Sequence, residues 1–220
     1  AKRLTHSPIQ CQFNSKAIIL LGASTGGTEA LSELLSGLPA EMPGICVVQH
    51  IPPVFSTAFA NRLNTQCALK VKEACDNDLV TPGLVLVAPG DYHMMLTRYG
   101  NAYRVQLKQG APVWHQRPAV DLLFQSAAQI VGSNAIGALL TGMGKDGAAG
   151  LLELRNAGSA TIAQDEDTCV VYGMPKAAIE IGAAQRILPL PQIGPSLIEW
   201  SKHYNNSYAP VSTAPQLHNL

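Results

Sequence analysis

Charge is scarce in this chain and carries no bias. Asp, Glu, Lys and Arg together make up 14% of its 220 residues, with 15 basic residues against 15 acidic ones. No basic stripe marks a nucleic-acid partner, and no polybasic run marks an anionic membrane surface. Cysteine is sparse too. Cys11, Cys46, Cys67, Cys75 and Cys169 are odd in number and form no C-x-x-C pair. That argues against a disulfide framework and a zinc site, and it suits a reducing cytosol, so a cytoplasmic protein is the expectation. A signal-peptide pattern is missing at the start, and the longest apolar runs are far too short to span a bilayer. Direct membrane insertion is therefore not expected.

What the chain does have is apolar residue content, 47% of the total, enough to bury one substantial core. Apolar runs recur at Ala17–Leu21, Ile45–Val48, Leu84–Val87, Ala135–Leu140, Ala160–Ala163 and Arg186–Leu190. Helix-like stretches alternate with several of them: Thr28–Leu35, Ser56–Leu63, Val120–Val131, Gly147–Asn156 and Pro175–Ile181. Continuous buried runs alternating with helices predict an α/β fold, a doubly wound and mostly parallel sheet with helices on both faces. Leu84–Val87, His93–Leu96 and Tyr103–Leu107 read as strands around turns at Pro89-Gly90-Asp91 and Tyr99-Gly100-Asn101. They predict an antiparallel hairpin region inserted into the parallel pattern. Residues 1–15 are polar and aperiodic and read as a linker. Residues 16–200 form the expected domain, and 201–220, rich in Asn, Ser and Pro, read as a flexible tail.

In an open α/β sheet the ligand crevice lies beyond the carboxyl ends of the strands, so reactive residues are sought there. The first run leads into Gly22-Ala23-Ser24-Thr25-Gly26-Gly27, whose first five residues fit Gly-x-Ser-x-Gly. In that pattern a sharp turn lifts a serine hydroxyl above the sheet, and N–H groups at the next helix start can hold an oxyanion. From the turn alone, a glycine-rich turn that only packs, or that cradles a nucleotide phosphate, is the more common reading. The second run ends at His50. Histidine's reference pKa of roughly 6.5 suits a general base, though a histidine there can also just bind backbone carbonyls. The run Ala135–Leu140 ends in Thr141-Gly142-Met143-Gly144-Lys145-Asp146-Gly147. Asp146 either caps the helix starting near Gly147 or orients an imidazole. Serine, histidine and aspartate each follow a different buried strand and so can converge at one sheet edge. Their order along the chain, Ser24, His50, Asp146, is not that of α/β-hydrolases, in which the acid precedes the histidine.

Ala23-Ser24-Thr25-Gly26-Gly27, Gln49-His50-Ile51-Pro52 and Thr141–Gly147 resemble the three active-site segments of chemotaxis protein-glutamate methylesterases, the CheB catalytic domain. Ala88-Pro89-Gly90-Asp91-Tyr92-His93, Arg117-Pro118-Ala119-Val120-Asp121, Ala163-Gln164-Asp165-Glu166 and Tyr172-Gly173-Met174-Pro175 extend the likeness over residues 16–200. The resemblance implies a Rossmann-like domain that works without a cofactor. Ser24 would be the nucleophile, His50 the general base and Asp146 the orienting acid. The backbone N–H of Met143 would contribute to the oxyanion hole, and Thr25 would help position His50 or substrate, or else just satisfy the turn backbone. It also implies glutamate γ-methyl esters on cytoplasmic helices of chemotaxis receptors as substrates, with deamidation of receptor glutamines as a second reaction. A phospho-accepting receiver domain that family members carry N-terminally is not in this chain, and residues 1–15 read as the remains of its linker. Ala119 stands where the family often has serine, and Ile51 where it often has methionine.

Other reactive residues compete. Trp114, His115 and Arg117 sit in one segment, where aromatics and arginine can grip a partner helix. His115 and Arg117 are candidates for a substrate rim, with a structural role as the alternative. His93 reads as structural, and His6, His203 and His218 as solvated. Asp165-Glu166-Asp167 looks like a paired-carboxylate site, but an acidic loop after a strand is usually solvated or capping. With no flanking His or Cys spacing, no metal is expected. A dinucleotide-binding oxidoreductase is the strongest rival from another class. Against it, G-x-G-x-x-G is absent and the second strand ends at His50, not at an acidic ribose ligand. A non-catalytic binding module is the third reading.

Overall fold

The structure is a computed structural model, and it describes residues 13, 14 and 16–203. Seven parallel strands form one sheet in the order β3-β4-β2-β1-β7-β8-β9. They are β1 (Ile18–Ala23), β2 (Gly44–Gln49), β3 (Lys70–Glu73), β4 (Leu84–Val87), β7 (Ala135–Leu139), β8 (Ala160–Gln164) and β9 (Arg186–Leu188). A separate antiparallel pair, β5 (His93–Tyr99) and β6 (Ala102–Lys108), makes the hairpin. Among the described residues six α-helices complete the fold, with a short 3-10 turn at Gly132–Asn134: α1 (Gly27–Ser36), α2 (Pro53–Gln66), α3 (Val120–Ile130), α4 (Ala148–Asn156), α5 (Met174–Glu180) and α6 (Leu190–His203).

Side chains alternate across a strand, so β1 feeds two cores at once. Ile19, Leu21 and Ala23 pack with α1, α2 and α6 through Leu31, Leu35, Leu63, Ile193 and Leu197. Ile18 and Leu20 face the opposite side, where Leu123, Phe124, Leu151, Leu154 and the hairpin residues Met94, Leu96 and Val105 close the second core. Each fully buried leucine stabilises the fold by about 1.5–3 kcal/mol relative to exposure. This is why central strands buried on both faces read as unbroken apolar runs.

One expectation is corrected. Leu84–Val87 is a strand, but it does not belong to the hairpin region. It lies inside the sheet, parallel to both β2 (Ile45↔Val85) and β3 (Lys70↔Leu84). Besides the 3-10 turn at Gly132–Asn134, two elements escaped the sequence reading. The edge strand β3 is Lys-Val-Lys-Glu, which has no apolar run because only one side of it is covered. The helix α6 carries Pro191 in its first turn and Pro195 inside, residues that read as loop punctuation. It continues to His203, three residues into the expected tail. The rest of that tail, 204–220, and most of the expected linker, with Cys11, His6 and His218, lie outside the described residues.

Strand order sets the site. From β1 the chain moves outward through β2, then returns to place β7 on the other side of β1. The order reverses between β1 and β7, and in such sheets this switch point opens a crevice at the strand carboxyl ends.

Candidate functional site

Ser24 and His50 directly follow β1 and β2, and Asp146 lies in the turn after β7; β1 and β7 flank the switch point and β2 adjoins β1. Ala23 pairs with Gln49, so Ser24 and His50 leave the sheet at the same level. The His50 N–H donates to the Ala23 carbonyl at 3.1 Å, and the Ser24 N–H donates to the Thr141 carbonyl at 3.0 Å. All three segments are thereby tied together through the main chain.

The turn at Ser24 is tight. Gly26 has a φ of 78°, a left-handed conformation that favours glycine, and it caps α1. The third segment presses on Ser24 from the side: a Cβ on Gly142 would lie 2.7 Å from Ser24 Cβ. Glycine at 142 thus lets the Met143 turn come directly against the serine. The Met143 side chain is exposed there. Thr25 is exposed as well, while its carbonyl accepts the Thr141 hydroxyl at 3.0 Å.

His50 Nε2 lies 2.7 Å from Asp146 Oδ2, with the two side chains only 5% and 2% exposed. The aspartate accepts two further bonds, from Val120 N–H to Oδ2 (2.7 Å) and from Asp121 N–H to Oδ1 (2.9 Å). Both donors belong to the first turn of α3. A carboxylate receiving three hydrogen bonds is an acceptor throughout, so His50 carries its proton on Nε2. Nδ1 is then the lone-pair nitrogen, and it is buried without a hydrogen-bond partner. A basic nitrogen held in one tautomer is suited to receive a proton. Asp146 does cap a helix, but not the one that follows it. The α4 cap is Gly147 with no side-chain bond, whereas Asp146 caps α3 from across the fold, where the helix dipole favours its negative charge.

Around this centre the remaining candidates separate. His93 is structural, as expected: Nε2 donates to the Ala111 carbonyl (3.0 Å) and Nδ1 accepts the Ala119 N–H (3.2 Å). Trp114 and His115 stand on an exposed loop with positive φ values of 50° and 61°. The Trp114 indole donates to Asp121 Oδ2 at 2.8 Å, and the Lys145 ammonium sits over its ring at 4.0 Å. This brings the loop beside the Asp146 turn. Arg117 is committed within the molecule, with Nε donating to Asp91 at 2.9 Å and Nη1 to the Gly110 carbonyl at 2.6 Å. In the acidic loop, Asp165 accepts the Thr168 hydroxyl at 2.6 Å and closes a turn, while Glu166 and Asp167 are exposed.

Two buried groups next to the centre drew no assignment from sequence. Asp121 is 4% exposed, and burial first, then the nearby Asp146 charge, raises its carboxyl above the usual range. Gln49 is 3% exposed and reaches across from β2 to the Ser24 carbonyl at 2.8 Å. The pattern of one residue per strand end has no place for such supports, which are found only once the turns are in space.

Fold and site define the class: a doubly wound α/β protein with a serine, a histidine and an aspartate gathered at the carboxyl edge of its sheet. The family described as CheB methylesterase matches residues 19–197, and the chain belongs to that family. A protein-glutamate methylesterase/protein-glutamine glutaminase of Syntrophus aciditrophicus is 59% identical over 184 residues, covering 84% of this chain and 54% of that protein. One of Pseudomonas aeruginosa with the same function name is 55% identical over 187 residues, 85% of this chain and 54% of that protein. The crystal structure of the Thermotoga maritima CheB methylesterase catalytic domain superposes with a TM-score of 0.82 at 43% identity, covering 84% of this chain and 99% of that one. The chain thus spans about half the length of the curated relatives it matches. Family membership decides against the dinucleotide-binding oxidoreductase.

Proposed function

We propose that this chain is a serine hydrolase that removes methyl groups from glutamate γ-methyl esters of chemotaxis receptors, and that it also deamidates receptor glutamines. The observation that carries the reading is the buried His50–Asp146 pair with the free Nδ1, held beside the Ser24 turn. Ser24 Oγ attacks the γ-carbonyl carbon as His50 Nδ1 takes its proton. Asp146 keeps the ring in that tautomer and stabilises the imidazolium. The oxyanion that forms is held by the Met143 N–H, on the turn that Gly142 presses against Ser24. Collapse expels methanol, which takes the proton back from His50 and leaves a glutamyl ester on Ser24. Water then attacks with His50 again as base, releasing the γ-carboxylate and restoring the serine. A glutamine substrate follows the same path with ammonia leaving, because both attack the same kind of acyl carbon.

The surroundings suit a large substrate. Phe55, Trp114, Met143 and Val170 are exposed apolar residues on segments bordering the three strand ends, an arrangement that fits one face of a receptor helix. His115 lines this rim, with Arg117 and Thr25 shaping it. A cytoplasmic setting goes with this substrate, and no helix among the described residues is long and apolar enough to cross a membrane. Restraint by a phospho-accepting receiver domain completes the reading. The test is methanol release from a methylated receptor fragment. Wild type should turn over and Ser24→Ala should fall to background with an unchanged fold, whereas turnover retained by Ser24→Ala would remove the serine from the mechanism.

A further inference from the structure

Gln49 is the last residue of β2, and its side chain lies on the α1 side of the sheet. Its amide nitrogen donates to two carbonyls at once, Ser24 at 2.8 Å and His50 at 3.1 Å. One planar NH2 group therefore fixes the main chains on which nucleophile and base are mounted. The donors cannot be exchanged with the acceptor: turning the amide over would set Oε1 against two carbonyl oxygens. In the orientation adopted, Oε1 is buried without a partner. Leaving such an acceptor unmade costs free energy, and a buried unsatisfied group calls for a reason.

Gly27 supplies a second, independent sign. As a residue of α1 it has no conformational need for glycine, since its φ is not in the left-handed region. Space is what it provides. A Cβ there would meet Gln49 Oε1 at 2.2 Å and Ala23 Cβ at 2.6 Å. The helix start is emptied where the Gln49 amide passes and where Ala23 packs.

We propose that Gln49 is a positioning residue for this reaction, a fork that sets the distance between the Ser24 and His50 main chains, and that Gly27 is glycine to admit it. The inference rests on the serine-hydrolase reading of the site. Gln49 touches neither substrate nor the reacting atoms, so its effect is on how often the nucleophile and base are aligned. Misplacement of about 1 Å in such a pair costs on the order of 10²-fold in rate.

The test compares wild type, Gln49→Met, Gly27→Ala, the double variant and Ser24→Ala on a methylated receptor fragment, after each fold is checked by circular dichroism and melting. Methionine fills the glutamine's volume without its donors, and alanine at 27 displaces the amide while also pressing on Ala23 Cβ. Each single variant should lose roughly tenfold or more in kcat with KM within about twofold, because alignment and not binding is disturbed. The double variant should lose less than the product of the two single losses, since both act on the same fork. The kcat criterion is read from either single if the other does not fold. A kcat within about twofold of wild type, or two losses that multiply in the double variant, would overturn the fork while an inactive Ser24→Ala left the serine mechanism standing. Turnover by Ser24→Ala would instead take away the mechanism on which the fork depends.

Discussion

Asp146 receives hydrogen bonds from an imidazole and from two backbone N–H groups of the first α3 turn, so it serves the proposed chemistry and a helix start at once. His50 has no comparable second duty in its side chain. The two therefore separate by experiment. His50→Ala should lower methanol release by roughly 10³-fold or more, because members of such a triad act as a unit, while its melting temperature changes little. Asp146→Asn should lose activity and stability together, since an amide cannot accept from all three donors; leaving one unpaired costs about 1–3 kcal/mol. Parallel assays and thermal melts check both. Asp121 gives a prediction in pH. Burial first, then the Asp146 charge, holds its carboxyl above the usual range, so the folded state binds that proton more tightly than the unfolded chain. The stability this confers is present at acid pH and is lost as pH rises through the folded value. Asp121→Asn, which has no such proton to lose, should gain ground on wild type in melting temperature as pH is raised from about 4 to about 7. A gap between the two that does not vary with pH would refute it.

At the scale of elements, β1 and α3 meet unusually closely. A Cβ on Gly22 would lie 2.3 Å from Val120 Cγ1, and Val120 is the residue whose N–H holds Asp146. Overpacking at such a contact costs typically 1–3 kcal/mol. Gly22→Ala should therefore lower the melting temperature and reduce kcat by displacing the α3 start, though the residue is two positions from the serine and bears no side chain. Unchanged melting and turnover would show the contact to be slack. Elements are also where reading from sequence succeeded most. Central strands such as Ile18–Ala23 and Ala135–Leu139 are buried on both faces, so their composition alone betrays them. Leu84–Val87 was equally visible as a strand, but its neighbours were not, because the apolar run says nothing about which strand lies alongside. The half-covered β3 has no apolar run, while α6 does carry a stripe at helical spacing, Leu190, Ile193, Leu197 and Trp200, which its two prolines disguise as loop.

For the whole molecule, the site was legible in outline because three reactive residue types end three buried strands. Their supports were not. The bonds that join Gln49 to Ser24, Asp121 to Gly150 and Asp146 to the start of α3 link residues 25 or more apart, and nothing local in sequence marks such pairs. Burial across the fold also orders the thiols. Cys46 is fully buried, with its thiol pushed up to about 12, and burial holds Cys169 up at about 11, while Cys75 is exposed. A thiol titrating that high is almost wholly protonated near neutrality, and the thiolate is the reactive form. In native protein at about pH 8, iodoacetamide should modify Cys75 well before Cys169, and Cys46 only on global unfolding, as followed by peptide mapping. Early modification of Cys46 would mean that the central sheet opens locally. The central claim, that the strand ends converge to make Ser24 a nucleophile, is tested most directly by covalent trapping. A fluorophosphonate should form one adduct, mapped by mass spectrometry to Ser24, and labelling should collapse in His50→Ala. An adduct on another residue, or Ser24 labelling that proceeds equally well without His50, would contradict it.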